Sequence, residues 1–282
     1  MILFFIKLFF PLTYFVIYMT GLIDIGLNLM HKSFDKNREE IIENAISNGV
    51  SQFVITGTNV RSSEIALKYA NDEKWKGILY STAGVHPHDA KTCNENTLDT
   101  LKEFAKKDCV VAIGECGLDY NRNYSPQDVQ REWFENQVKL AQELDMPLFL
   151  HERDAHEDMV KILSKYPDMC KKACVHCFTG TKEEAEKYLE LGCFIGVTGW
   201  ICDERRGQSL QEAVTIIPPE KMMIETDAPF LIPRNFPKKP KSNKNKPEYL
   251  PHILNTIAEY KECDSEELGE AVSKTTREFF NI

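Results

Sequence analysis

The sequence predicts one closed (β/α)8 TIM barrel, and three observations carry that prediction. Eight short apolar runs alternate with charged segments of helical period. The eight units fill about 260 residues, the length of a single barrel. The C-terminal ends of the runs, where a barrel collects its chemistry, carry histidines and isolated carboxylates. A doubly wound open sheet is the competing architecture, but it usually takes fewer units.

In chain order the runs are LIDIGL (22–27), QFVITG (52–57), ILYSTAGV (78–85), CVVAIGE (109–115), PLFLH (147–151), ACVHC (173–177), CFIGVTG (193–199) and KMMIETD (221–227). Between them lie stretches such as DKNREEIIENAISNG and SPQDVQREWFENQVKLAQELD. In the second, Trp133, Phe134, Val138, Leu140, Ala141 and Leu144 favour one broad helical face.

The run ends read Asp24 and Asn28, Thr56 to Asn59, His86 and His88, Glu115, His151, His176, Thr198 and Asp227. Four of the seven histidines stand at or just beyond such ends. A lone histidine there is usually a hydrogen-bonded core residue. Three strand ends with histidine and two with isolated carboxylates, converging on one mouth, point instead to a bound metal. Imidazole suits borderline metals and carboxylate hard ones, so the carboxylate share favours magnesium or manganese over a structural zinc. The plainer reading of Asp227 is a loop cap, and of Glu115 a buried ion pair. Cys116 and Cys177 adjoin candidate ligands, but on a strand they would point the other way.

Composition sets further limits. Hydrophobic residues at 43% and charged residues at 27% give an ordinary globular balance with enough apolar content for a core. The net charge of −9 argues against a protein coated in positive charge. A metal site and a local basic loop still bind phosphate on an acidic protein. Nine cysteines, an odd count without repeated zinc-finger spacing, favour reduced thiols and an intracellular setting, cytoplasmic or nuclear. The single CxxC, Cys174 to Cys177, is expected to alternate faces of a strand and serve core packing. Residues 1–20 are an apolar extension with two open readings: a secretory or membrane-targeting segment, or an extension without that role. Residues 21–282 are expected to form the barrel, as a monomer, since no oligomer signature is visible.

The segments GTNVRSS, STAGVHPHDA, AIGECGLDYNRNYS, MPLFLHERDAHE, HCFTGTKEE, IGVTGWICDERRG and IETDAPFLIPR resemble, in order, the motifs of the TatD family of metal-dependent deoxyribonucleases. The resemblance runs from about Gly21 to Ile282 and implies a barrel of the amidohydrolase type. It implies a magnesium-dependent nuclease, with manganese or zinc as alternatives, that removes nucleotides from the 3′ end of single-stranded or frayed DNA, with RNA as a further substrate. DNA repair or DNA degradation is the implied setting. By motif, Glu115, His151, His176 and Asp227 are the implied metal ligands, and His86 faces the phosphate or the metal. Asp227 would accept a proton from the attacking water.

Substrate phosphates need donors, and Arg61, Arg153, Arg205 and Arg206 follow strand ends on the catalytic side. For each, a solvated loop charge is the plain alternative. His156 sits beside the bound strand or caps a helix. The Pro/Lys segment 233–252 reads as a solvated linker or as a grip on the DNA backbone. Tyr120, Tyr124 and Trp200 are stacking platforms for unpaired bases or packing residues.

Three features depart from the family pattern. Gly26 and Asn28 replace an HxH pair found in many relatives, a replacement that the TatD subfamily proper also shows. Glu152 stands where cysteine is usual, and Lys246 stands for the glutamate of an RNEP motif. An ester or amide hydrolase, such as an aminoacyl-tRNA deacylase, would use the same metal–water chemistry and is the alternative activity.

Overall fold

The computed structural model describes residues 21–282, so both readings of the apolar stretch 1–20 lie outside the described residues. Strands β1 (Leu22–Leu27), β2 (Val50–Ile55), β3 (Leu79–Ala83), β4 (Val110–Asp119), β5 (Leu148–Arg153), β6 (Ala173–Val175), β7 (Phe194–Val197) and β8 (Met222–Ile224) pair in sequence order, every pair parallel. The return helices are α1 (Arg38–Ser47), α2 (Val60–Ala70), α3 (Thr97–Ala105), α4 (Gln127–Leu144), α5 (His156–Leu163), α6 (Pro167–Cys170), α7 (Lys182–Leu191) and α8 (Gln208–Val214). Then α9 (Leu250–Lys261) and α10 (Ser265–Phe280) complete the shell. The barrel expected from the sequence is the observed fold.

Closure of the barrel is lighter at one seam. Beyond the named strands, β1 and β8 meet through a single bridge, Leu27 to Ala228. Asp227 N donates to Gly26 O at 2.8 Å, and Asn28 N to Ala228 O at 2.9 Å. Side chains reinforce the seam: Asp24 accepts from Thr226 N at 2.9 Å and from the Thr226 hydroxyl at 2.5 Å.

Two apolar clusters divide the core. One packs the strands against the helices. The other fills the barrel interior with Ile23, Ile25, Val54, Val111, Phe149, Cys174 and Met223, with Phe280 of α10 packed into the same cluster. Strand residues two apart share a face. Inward Phe149, Cys174 and Met223 therefore place His151, His176 and Glu225 on the same face one step nearer the mouth.

Two strand boundaries differ from the sequence reading. β4 continues past Glu115 to Asp119 because its pairing with β5 resumes after an irregularity between Gly114 and Cys116. β6 ends at Val175, so the CxxC is not wholly on a strand. Cys177 turns with φ 46° and lines the mouth cavity, which corrects the expectation that it faces away. Cys116 does pack in the outer core, as expected.

Candidate metal centre at the barrel mouth

The mouth holds a cavity of about 490 Å³ lined by His86, Glu115, His151, His176, Asp227 and Asn28, among others. Glu115 Oε1 is its centre: His176 Nε2 lies at 2.8 Å, His151 Nδ1 at 3.0 Å and His86 Nε2 at 3.4 Å. Burial opposes a charge on Glu115, but the neighbouring imidazoles of His86 and His176 and hydrogen bonds from His151 and His176 hold it well below the ordinary range. Asp227 is pushed up to about 8, chiefly by burial and against the pull of His176. It accepts from Asn28 Nδ2 at 2.7 Å. Asn28, one of the two departures from HxH, thus orients the last carboxylate of the site.

Each histidine is aimed by what its other nitrogen meets. His176 Nδ1 lies 3.2 Å from Glu225 Oε2, and Phe149 stacks on its ring with 4.3 Å between centroids. Glu225 is fully buried and also accepts from Cys177 N at 2.5 Å. His151 Nε2 lies 3.3 Å from Asp119 Oδ2, the oxygen that also meets His88 Nε2 at 2.8 Å. Burial works against a charge on either ring, yet in the metal-free chain the flanking carboxylates hold both His176 and His151 above the ordinary imidazole value, so that His176 Nε2 and His151 Nδ1 donate to Glu115. With a cation in place, Asp119 and Glu225 would keep the outer protons and leave those two nitrogens free to ligate. His86 differs, because its Nδ1 accepts the backbone N–H of His88 at 3.1 Å. Burial pushes His86 down to about 3 against the pull of Glu115, so it is neutral with its proton on Nε2. That nitrogen is a hydrogen-bond donor into the cavity.

His86, Glu115 and His151 offer ligand atoms within 4.8 Å of one another, a spacing that can hold a metal ion. Adding His176 and Asp227 gives a mixed imidazole and carboxylate set of the kind that divalent cations take. By proton placement, His86 is the member of the cluster least suited to ligation.

The first of the two HxH replacements, Gly26, has a steric cause. A Cβ on Gly26 would overlap the Glu225 carboxylate. The volume of a first-strand side chain is taken by the group that orients His176.

Sequence reasoning missed Asp119 and Glu225. Asp119 lay beyond the assumed end of β4. Glu225 was detectable, since Met223 and Glu225 share an inward face. Burial works against the charge of Asp119, yet hydrogen bonds from His151, His88 and the Arg122 N–H keep it below the carboxylate range.

Other candidates lie elsewhere. Arg61 lines a separate cavity beside Asn59 and Asp89. Arg153 is exposed at the end of β5 and is not among the residues lining the mouth cavity. His156 starts α5 with its ring edge-on to buried Tyr188, between helices rather than in the mouth. Arg206 forks onto Asp203 and covers the Trp200 ring at 4.6 Å. Tyr120 is committed to Asp158 through a 2.7 Å bond, whereas Tyr124 is 56% exposed and meets His88 edge-on. Glu152 accepts from Ala155 N and lies by the Tyr188 hydroxyl, so it serves the β5–α5 turn.

The sequence model of TatD-related DNases matches residues 23–281. The chain belongs to the TatD-related DNase family. A 3′-5′ ssDNA/RNA exonuclease TatD of Erwinia tasmaniensis is 46% identical over 259 residues, covering 92% of this chain and 99% of that protein. Its counterpart in Pectobacterium carotovorum is 44% identical with the same coverage. Among solved structures, a TatD homologue of Escherichia coli superposes with TM-score 0.85 at 25% identity, covering 94% of this chain and 99% of that one. A TatD-family hydrolase of Entamoeba histolytica gives 0.83 at 27% identity, covering 93% and 98%. The expected family, barrel and nuclease class are therefore borne out. As a TatD-family hydrolase, the protein acts on phosphodiester bonds of nucleic acid. Among the described residues no helix is long and apolar enough to cross a membrane.

Proposed function

We propose that this protein is a divalent-metal-dependent 3′→5′ exonuclease of single-stranded DNA, with RNA as a second substrate. The observation that carries the reading is the set of imidazoles around Glu115 Oε1, faced by Asp227 at the same mouth. Relatives at 44–46% identity over 92% of the chain are named 3′-5′ ssDNA/RNA exonucleases, which supports the substrate and the polarity.

Glu115, His151, His176 and Asp227 would hold the cation. When bound, it neutralises phosphodiester charge and acidifies the attacking water. Around it, each side chain has a separate task. His86 Nε2–H donates to a non-bridging phosphate oxygen, where charge grows in the transition state. Asp227, held in place by Asn28 Nδ2, would lose its proton when a cation is bound and then accept the proton of the attacking water. Asp119 and Glu225 hold His151 and His176 in the liganding tautomers. Magnesium is the proposed cellular ion, and the two imidazoles predict tighter binding of manganese or zinc.

The test uses chelator-stripped protein, single strands labelled at either end, and each metal restored in turn. Shortening from the 3′ end, lost in Glu115→Ala and Asp227→Ala, is expected. Failure of every metal to restore cleavage, with aminoacyl-tRNA hydrolysed instead, would overturn the reading.

A further inference from the structure

A larger opening adjoins the mouth. A cleft of about 790 Å³ lies between the loop after β7 and the long segment after β8, both on the catalytic face of the barrel. Arg205, Arg234 and Lys239 line it together with Asp203 and Glu204. Buried Asp203 is shared: Arg206 reaches one of its oxygens at 2.9 Å and Arg234 Nε reaches the same oxygen at 3.1 Å. Arg205 Nε lies 3.8 Å from the other oxygen. One carboxylate thus anchors three guanidiniums whose side chains stay 73%, 51% and 51% exposed. The local excess is positive on a chain of net charge −9. Anchored, solvent-facing guanidiniums suit phosphate oxygens.

The chain path links this cleft to the mouth. Asp227 and Phe230 line the mouth cavity, while Ile232 and Pro233 line the cleft. The five Cα steps from Asp227 to Ile232 span at most about 18 Å. Phe230 stands between the two, 48% exposed, with His31 against its ring at 5.5 Å. An exposed aromatic ring beside a positive cleft is the pairing that single strands use: stacking for the bases, charge for the backbone.

We propose that this cleft is a second subsite that holds backbone phosphates of the retained strand, upstream of the scissile linkage, with Phe230 stacking on a base between mouth and cleft. The proposal rests on the nuclease reading above. A strand entering by its 3′ end loses nucleotides in the mouth, and the remainder needs a site that slides without reading sequence.

Binding tests it apart from catalysis. The full chain, with chelator present, is titrated with labelled, hydrolysis-resistant oligothymidylate over a salt series, followed by fluorescence anisotropy. Arg234→Ala leaves Asp203 paired with Arg206, and Lys239→Glu alters an exposed side chain, so both variants are expected to fold. Each lost phosphate contact lowers the slope of log affinity on log salt by about 0.7. Phe230→Ala is expected to weaken binding about tenfold with the slope unchanged. In a parallel assay, the kcat/KM advantage of a long oligothymidylate over a dinucleotide falls about tenfold in Arg234→Ala/Lys239→Glu. An unchanged salt slope, or equal losses for both lengths, overturns the subsite. Wild-type protein that cleaves neither length overturns the nuclease reading instead, and the anisotropy slope then decides the cleft alone.

Discussion

Three imidazoles approach Glu115 Oε1, and the atom that each turns toward it separates ligand from donor. His151 presents Nδ1 because Asp119 occupies its Nε2, and His176 presents Nε2 because Glu225 occupies its Nδ1. His86 presents a protonated Nε2 because the His88 N–H occupies its Nδ1. Mutation should split these roles. His86→Ala is expected to lower kcat by about 10²–10³-fold, as loss of an oxyanion donor does, with manganese affinity within about twofold. His151→Ala is expected to lose tight manganese binding, and Asp119→Asn to weaken it about 10–100-fold. Calorimetric titration beside kinetics checks both; a His86→Ala variant that no longer binds manganese would make His86 a ligand and sink the distinction. Gly26→Ala is the second residue-scale prediction. Its Cβ meets the Glu225 carboxylate. That displacement should turn His176 and lower metal affinity, although no ligand has been changed; unaltered affinity would show that Glu225 can move aside freely. The ligands were legible in the sequence because they stand at strand ends. Of the residues that aim them, Glu225 was detectable from its spacing to Met223, whereas Asp119 was not, because the extension of β4 depends on its pairing with β5.

At the scale of elements, the β1–β8 seam is where the barrel leans on side chains. Seven strand pairs share parallel ladders, while this seam has a single bridge supplemented by Asp24 and Thr226. Asp24→Ala would leave the buried Thr226 N–H and hydroxyl without their partner, which costs about 1–3 kcal/mol for each unsatisfied group. Asp24→Asn should cost less, because its amide can donate to the Thr226 hydroxyl while its carbonyl still accepts. The pair also makes a pH prediction. Burial pushes Asp24 up to about 7, against hydrogen bonds from Thr226. A folded-state value above the unfolded one means that the folded chain holds the extra proton between the ordinary carboxylate range and about 7. The Asp24 contribution is therefore complete below that range and fades as pH rises through about 7. Urea unfolding at about pH 5 and about pH 8 should show Asp24→Asn losing less stability over the interval than the wild type. An equal loss in both would remove Asp24 as the source.

For the whole molecule, eight strands were legible because parallel strands sheathed by helices are apolar on both faces and stand out as runs. Strand ends were less so: β4 runs four residues beyond its apolar segment, and β6 stops before Cys177, because pairing with neighbours decides where a ladder ends. The anchoring of Arg206 by Asp203, three residues earlier, was written locally in DERR, whereas Arg234 joins it from the far side of β8. The same concentration of function at one end has a thermodynamic consequence. Glu115 and Asp227 line the mouth cavity, and buried Asp119 and Glu225 stand behind its histidines. Burial, with Glu225 and Glu115 beside it, holds Asp227 up to about 8, so the metal-free site keeps a proton there that a cation would displace, and a cation that binds only the folded state stabilises it. At one hundred times its dissociation constant it adds about 2.7 kcal/mol. For a chain of this size that corresponds to a rise in Tm of about 5–10 °C. Scanning calorimetry of chelator-stripped protein with and without manganese should register the rise in the wild type and in His86→Ala, and its loss in Glu115→Gln. A rise that persists in Glu115→Gln would place the stabilising cation elsewhere on this acidic chain.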